Sequence, residues 1–151
     1  MFIDAKRAGM DFGAASRRRE LPIHAAAASE STESSPSEVI RWLVLDAGQN
    51  PDALTGYGLA PLHIACLRRD PARVQALIDL GADPNAASPR GWTPLHAACS
   101  ASVPDVATAL VRAGADRGLV TDRGVTPRDL AALRNERIRA SQRTMRMLAP
   151  A

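Results

Sequence analysis

The chain has 151 residues, a formal net charge of +3, and 46% hydrophobic but only 3% aromatic residues. That length suits one domain, the scarcity of aromatic side chains argues against a wide closed core, and the modest charge does not by itself point to nucleic acid. With no run of about 18 apolar residues, and no apolar N-terminal segment followed by a small-residue cleavage site, neither a membrane span nor a secretory signal is expected.

The organisation is read from glycine and proline. Gly9 and Pro22, Gly48 and Pro61, Gly81 and Pro94, and Gly114 and Pro127 are each 13 apart, and the last three pairs recur every 33 residues. The neighbours recur with them. Ala60-Pro61-Leu62-His63-Ile64-Ala65-Cys66 is echoed by Thr93-Pro94-Leu95-His96-Ala97-Ala98-Cys99, and Leu80-Gly81-Ala82-Asp83 by Ala113-Gly114-Ala115-Asp116. A fixed period of this length predicts stacked repeats, each packing only on its neighbours.

In chain order, residues 1–15 form the tail of an earlier repeat, with Phe2 and Ile3 in place of a helix pair: either the chain is a fragment or this is a half-repeat cap. Residues 16–54 make the first full repeat. Leu21-Pro22-Ile23-His24-Ala25-Ala26 starts its first helix, and a polar loop over 29–37 adds six residues relative to the next repeat. Its second helix is expected over 38–47, capped by Ser37 and packed through Val39, Ile40, Trp42, Leu43 and Val44.

The repeat over 55–87 is the most regular. Gly58 permits a turn, and Pro61 opens a helix with the apolar stripe Leu62, Ala65 and Cys66. Pro71 ends that helix and opens another, packed through Val74, Leu77 and Ile78 and closed by Gly81 as a left-handed cap. Residues 88–120 repeat the scheme with Gly91, Pro94, Pro104 and Asp105, a stripe of Ala107, Leu110 and Val111, and Gly114. Residues 121–148 read as a C-terminal capping repeat in which Arg128 and Asp129 replace the Leu-His pair. Its second helix is expected over about 136–148, burying Ile138, Met145 and Leu148 and showing water Arg137, Arg139, Arg143 and Arg146.

The period and the Pro-Leu-His junctions resemble the ankyrin repeat family. The resemblance covers nearly the whole chain and implies an all-α solenoid of stacked helix-turn-helix pairs with short β-hairpin-like finger loops. It also implies a structural role for the histidine of each junction, bonding across its turn and to the neighbouring repeat. Cys66 and Cys99 fall at sites that usually hold alanine in this family. One repeat apart, they lie roughly 10 Å from each other, too far for a disulfide, which needs Cα atoms within about 7 Å. Both are expected reduced and buried, which suits a reducing compartment. The cytoplasm is the expected location, with the nucleus left open.

No catalytic constellation is found. His63 and Cys66, then His96 and Cys99, spell His-x-x-Cys twice, but ligands one repeat apart do not converge on one zinc ion. Thiols among small buried residues are inert, no phosphate-binding Gly-rich loop is present, and Asp83 and Asp116 fit turns better than an acid–base pair. Catalytic, metal and cofactor residues are therefore expected to be none, and no small-molecule substrate is expected. Ser34-Ser35-Pro36 reads as a flexible loop ending at a helix cap in preference to a phosphorylation site. Arg17-Arg18-Arg19 and the C-terminal arginines read as solvated faces, since no aromatics are interleaved for base stacking.

In this family the finger tips and the inner face of the first helices form a concave partner-binding surface. Mapped by register, the tips carry Tyr57, Leu59, Pro89, Arg90, Trp92, Arg123 and Val125, and the inner helix ends carry Leu67, Arg68, Ser100, Ala101, Leu133 and Arg134. Of these, all but Pro89, Ala101 and Leu133 are expected to bind the partner. Trp, Tyr and Arg are enriched in interface hot spots, and a turn tip has little core for Trp92 to fill, whereas Trp42 sits on a second helix and is expected to pack. The reading is a non-catalytic module that binds another protein, one with an acidic surface that suits Arg68, Arg123 and Arg134. The alternative is a regulatory or structural segment packed in cis against a larger protein; nucleic-acid contact through the basic ends ranks third.

Overall fold

The computed structural model describes residues 19–29 and 35–148, without the side chains of residues 138 and 140–148. Seven helices lie within it: α1 Pro22–Ala28, α2 Pro36–Leu45, α3 Pro61–Leu67, α4 Pro71–Asp79, α5 Pro94–Ala101, α6 Pro104–Arg112 and α7 Pro127–Leu148. No strand occurs among the described residues. Every helix opens with proline, whose fixed φ suits a first turn and whose missing N–H has nothing to lose there. This corrects the expected start of the second helix. Pro36 takes the opening place, so Ser35 and not Ser37 precedes the helix, and Ser35 makes no side-chain cap bond. The expected loop over 29–37 lies partly outside the described residues.

The helices form two layers. Helices α1, α3, α5 and α7 pack in succession as an inner layer, and α2, α4 and α6 as an outer one, each against its own inner partner. Between them run Ile23, Ala26, Leu62, Ala65, Cys66, Ala97 and Ala98 from the inner side, and Ile40, Leu43, Val74, Leu77, Val106 and Leu110 from the outer, all buried. Small residues on the inner helices allow close approach, and the outer helices supply bulk. Each fully buried Leu, Ile or Val contributes about 1.5–3 kcal/mol. Trp42 packs half-buried against this core, as expected, with Ile78, Ala107 and Val111.

Polar ladders tie the repeats together. His63 accepts the Ala60 N–H at Nδ1 (3.1 Å), which leaves Nε2 protonated to donate to the Trp92 carbonyl of the next finger at 2.8 Å. His96 does the same with Thr93 N–H and Val125 O, at 3.2 and 2.9 Å. His24 follows locally but donates to Ala53 O at 2.6 Å. Ala53 is the counterpart of Ala86, not of Trp92, because six extra residues separate the first histidine from its finger. At the outward turns, Asp52 Oδ1 accepts the Asp83 N–H and Asn85 Oδ1 the Asp116 N–H, at 2.8 and 2.7 Å.

The C-terminal segment differs from expectation. It is not a helix pair but one 22-residue helix, α7. The earlier repeats leave the inner helix through a left-handed residue, Arg69 or Ser102, and restart at Pro71 or Pro104. The counterparts of Ser102 and Pro104 are Asn135 and Arg137. With no proline to remove an N–H, and Glu and Arg favouring helix, the chain continues. The expected burial of Ile138, Met145 and Leu148 lies outside the described side chains. No helix among the described residues is long and apolar enough to cross a membrane.

Candidate functional site

Each finger is a five-residue hairpin turn. Thr55, Ser88 and Thr121 donate their N–H to the carbonyls of Leu59, Trp92 and Val125 (2.9–3.0 Å), and Gly58, Gly91 and Gly124 donate back to the carbonyls of Thr55, Ser88 and Thr121. The glycine φ values are 74°, 71° and 71°, the left-handed residue a three-residue hairpin loop requires. The Thr55, Ser88 and Thr121 hydroxyl oxygens accept the N–H of Leu59, Trp92 and Val125 and brace the turn. This repeated geometry sets two columns: Tyr57, Arg90 and Arg123 at the tips, and Leu59, Trp92 and Val125 at the bases.

The fingers touch. A Cβ built on Gly58 would lie 2.3 Å from Pro89 Cδ, and one on Gly91 would lie 2.9 Å from Val120 O. Fingers two and three are also joined by main chain, the Asp122 N–H donating to Arg90 O at 2.9 Å. The counterpart of Asp122 in finger two is Pro89, which has no N–H to give. Fingers one and two therefore lack that bond and meet through the proline ring.

Across the fingers lies a groove of about 510 Å3, within the range of ordinary ligand clefts, about 300–1,000 Å3. Tyr57, Leu59, Arg90, Trp92, Arg123 and Val125 line it, so six of the ten residues expected at the site come together. Tyr57 is 63% exposed. Ser88, Pro89, Thr121, Asp122 and Leu130 complete the lining. Of these, register places Pro89 at a tip without counting it among the binders, and sequence reasoning missed Ser88, Thr121, Asp122 and Leu130; finger register offered a signal for all but Leu130, which stands on α7 where the preceding repeat carries the buried Ala97.

The other four expected residues do not line the groove. Leu67 and Arg68 are exposed at the end of α3. Arg134 donates from Nη1 to the Ser100 carbonyl at 2.6 Å, so these two are engaged with each other, α7 closing the end of α5. Trp92 also departs from expectation. Its ring stacks on the His96 imidazole, centroids 5.5 Å apart, and packs against the core, so it serves the fold as well as the groove surface. A second cleft, of about 550 Å3, lies on the outer layer between α4 and α6, lined by Gln75, Ile78, Asp105, Thr108, Ala109, Arg112 and Ala113.

The chemistry near the groove is that of structure and recognition. Burial holds the His24 and His63 imidazoles below their usual pKa, against the raising effect of their backbone partners. Desolvation pushes the Cys66 thiol up to about 12 and also raises Cys99, so neither is thiolate at neutral pH. Both are free thiols, but Cys99 is only half-buried. Cys66 has a full repeat on each side, whereas the helix of Cys99 packs on α7, which has no outer partner helix among the described residues. Among the described residues no group of three His, Cys, Asp or Glu side chains is placed to hold a metal ion. Asp129 accepts from the Thr126 N–H and then from the Thr126 hydroxyl, which together hold its carboxyl below the usual range. It thus keeps the local half of the histidine's role and has no second arm for another repeat.

No curated protein matches the chain. A family model described as ankyrin repeats (3 copies) matches residues 23–121 and again residues 62–140. Together the matches span well over half the chain, and they coincide with the layers, histidine bonds and fingers described above. Ankyrin repeats are generally protein–protein interaction modules and typically non-catalytic. The chain belongs to the ankyrin repeat family.

Proposed function

We propose that the chain is a non-catalytic adaptor that binds another protein through the finger groove. The observation that carries the reading is the convergence of Tyr57, Leu59, Arg90, Trp92, Arg123 and Val125 from three fingers on one apolar cleft. Tyr, Trp and Arg, four of these six, are the residue types that anchor interfaces. Leu67 and Arg68 extend the contact along the inner helices, while Ser100 and Arg134 contribute by holding α7 in place. The cationic tips favour a partner with acidic character. The two free thiols suit a reducing compartment, the cytoplasm or the nucleus.

Affinity capture from source-cell lysate tests the reading with three proteins: wild type, Tyr57→Ala/Arg123→Ala in the groove, and Arg112→Ala in the outer cleft. The expected result is a protein retained by wild type and by the outer variant and lost by the groove variant. A truncated anchor should cost the partner about 2 kcal/mol or more. Equal recovery by all three would reject the groove, and selective loss with Arg112→Ala would move the site to the outer layer.

A further inference from the structure

We infer that the groove takes an extended segment of the partner in which a carboxylate stands a few residues from a large apolar side chain. The inference rests on the finger-groove reading and adds the shape and chemistry of what enters. Leu59, Trp92, Val125 and Leu130 offer apolar surface, and Tyr57 and Pro89 complete it. An apolar side chain laid there removes that surface from water on both partners.

The charged part is local. Arg90 and Arg123 are exposed neighbours in the tip column, and neither guanidinium makes a hydrogen bond or ion pair within the described residues. Their spacing is held by the Asp122 N–H bond to Arg90 O. Asp122 supplies one carboxylate at the same rim against two guanidiniums, which leaves a net positive charge beside the apolar surface. A carboxylate matches the planar donor fork of arginine in geometry as well as charge, and a pair already in position loses less entropy on binding.

The same bonds argue for a segment rather than a broad acidic face. A face would need cations spread over the inner helices, yet of the site's two arginines there Arg134 is engaged with Ser100 O and Arg68 also has an interaction of its own. The unengaged arginines of the site therefore sit on two adjacent fingers, over a cleft of about 510 Å3. That is a place for a few side chains in a row.

The test selects from a random peptide library on the immobilised full chain. The best-enriched peptide, labelled with fluorescein, is titrated by anisotropy against wild type, Arg90→Gln/Arg123→Gln and Tyr57→Ala, with each fold checked by circular dichroism. Enriched peptides should share an acidic residue near a large apolar one. The double glutamine variant should weaken binding about tenfold at low salt, and less at high salt. Replacing the peptide's acidic residue by its amide should weaken wild-type binding as much, with no further loss when the two changes are combined. That peptide-side change probes the same contact on the wild-type protein, so it decides the question even if the double variant unfolds. Peptides without acidic residues, or indifferent to both changes, would overturn the inference. The groove reading would survive that result if Tyr57→Ala still abolished binding, and would fall with it if Tyr57→Ala bound as wild type does. No enrichment over blank resin would overturn the extended segment.

Discussion

Gly58 and Gly124 share a positive φ, 74° and 71°, but meet different surroundings. A Cβ on Gly124 has nothing within 4 Å, whereas one on Gly58 runs into the Pro89 ring. Gly124→Ala should therefore cost about 1 kcal/mol, the backbone term alone. Gly58→Ala should cost about 2–4 kcal/mol, because overpacking adds to it. Urea unfolding of the two variants measures the difference, and equal losses would show that fingers one and two do not press together. The turn at Gly58 was legible in the sequence, and register extends it to Gly124, 66 residues on. The close approach was not, since it depends on how one repeat seats on the next. The same holds for Trp92: its place on a finger could be read from register, but not the His96 ring beneath it.

At the scale of the helix, α4 is better anchored than its counterpart α6. Asp70 Oδ1 accepts the N–H of Ala72 and Arg73 at 2.9 and 3.2 Å, and its other oxygen lies 3.1 Å from Arg73 Nε. Arg73 is 6% exposed and donates from Nη1 to Ala27 O, at the end of α1. Val103 precedes α6 and offers no such cap. Asp70→Ala should cost more than an ordinary cap loss of about 1 kcal/mol, because it also strips a buried guanidinium of its counter-charge. Chemical denaturation checks this against Asp105→Ala, an exposed acid in the first turn of α6, which should change stability by about 0.5 kcal/mol or less. Equal effects would demote the Asp70–Arg73 pair to surface decoration. Proline spacing made every helix start legible, α2 included once Pro36 is given the role that Pro61 and Pro94 play. The continuity of α7 needed the converse reading, that Arg137 stands where a proline would have ended the helix.

Across the whole molecule, the histidine bonds couple stacking to pH. Burial depresses the folded-state pKa of His24 and His63 below the ordinary 6.5. Below that pH the unfolded chain takes up protons that the folded chain resists, so the stabilisation is complete above about 6.5 and is lost as pH falls toward the folded values. Each histidine can steepen the loss by up to about 1.4 kcal/mol per pH unit. Urea midpoints should be flat from about pH 8 to 7 and fall by about pH 5.5; a midpoint that holds or rises on acidification would contradict it. The repeat stack was readable from period alone, and so were six groove residues, because register carries position from finger to finger. Leu130 escaped because it reaches the groove from α7. Pro89 in place of Asp122 gives the groove unequal jaws. Its second and third fingers are tied main chain to main chain, while the first meets the second through the packed Pro89 ring. A guest would therefore press on a hydrogen-bonded seam on one side and on a purely packed one on the other.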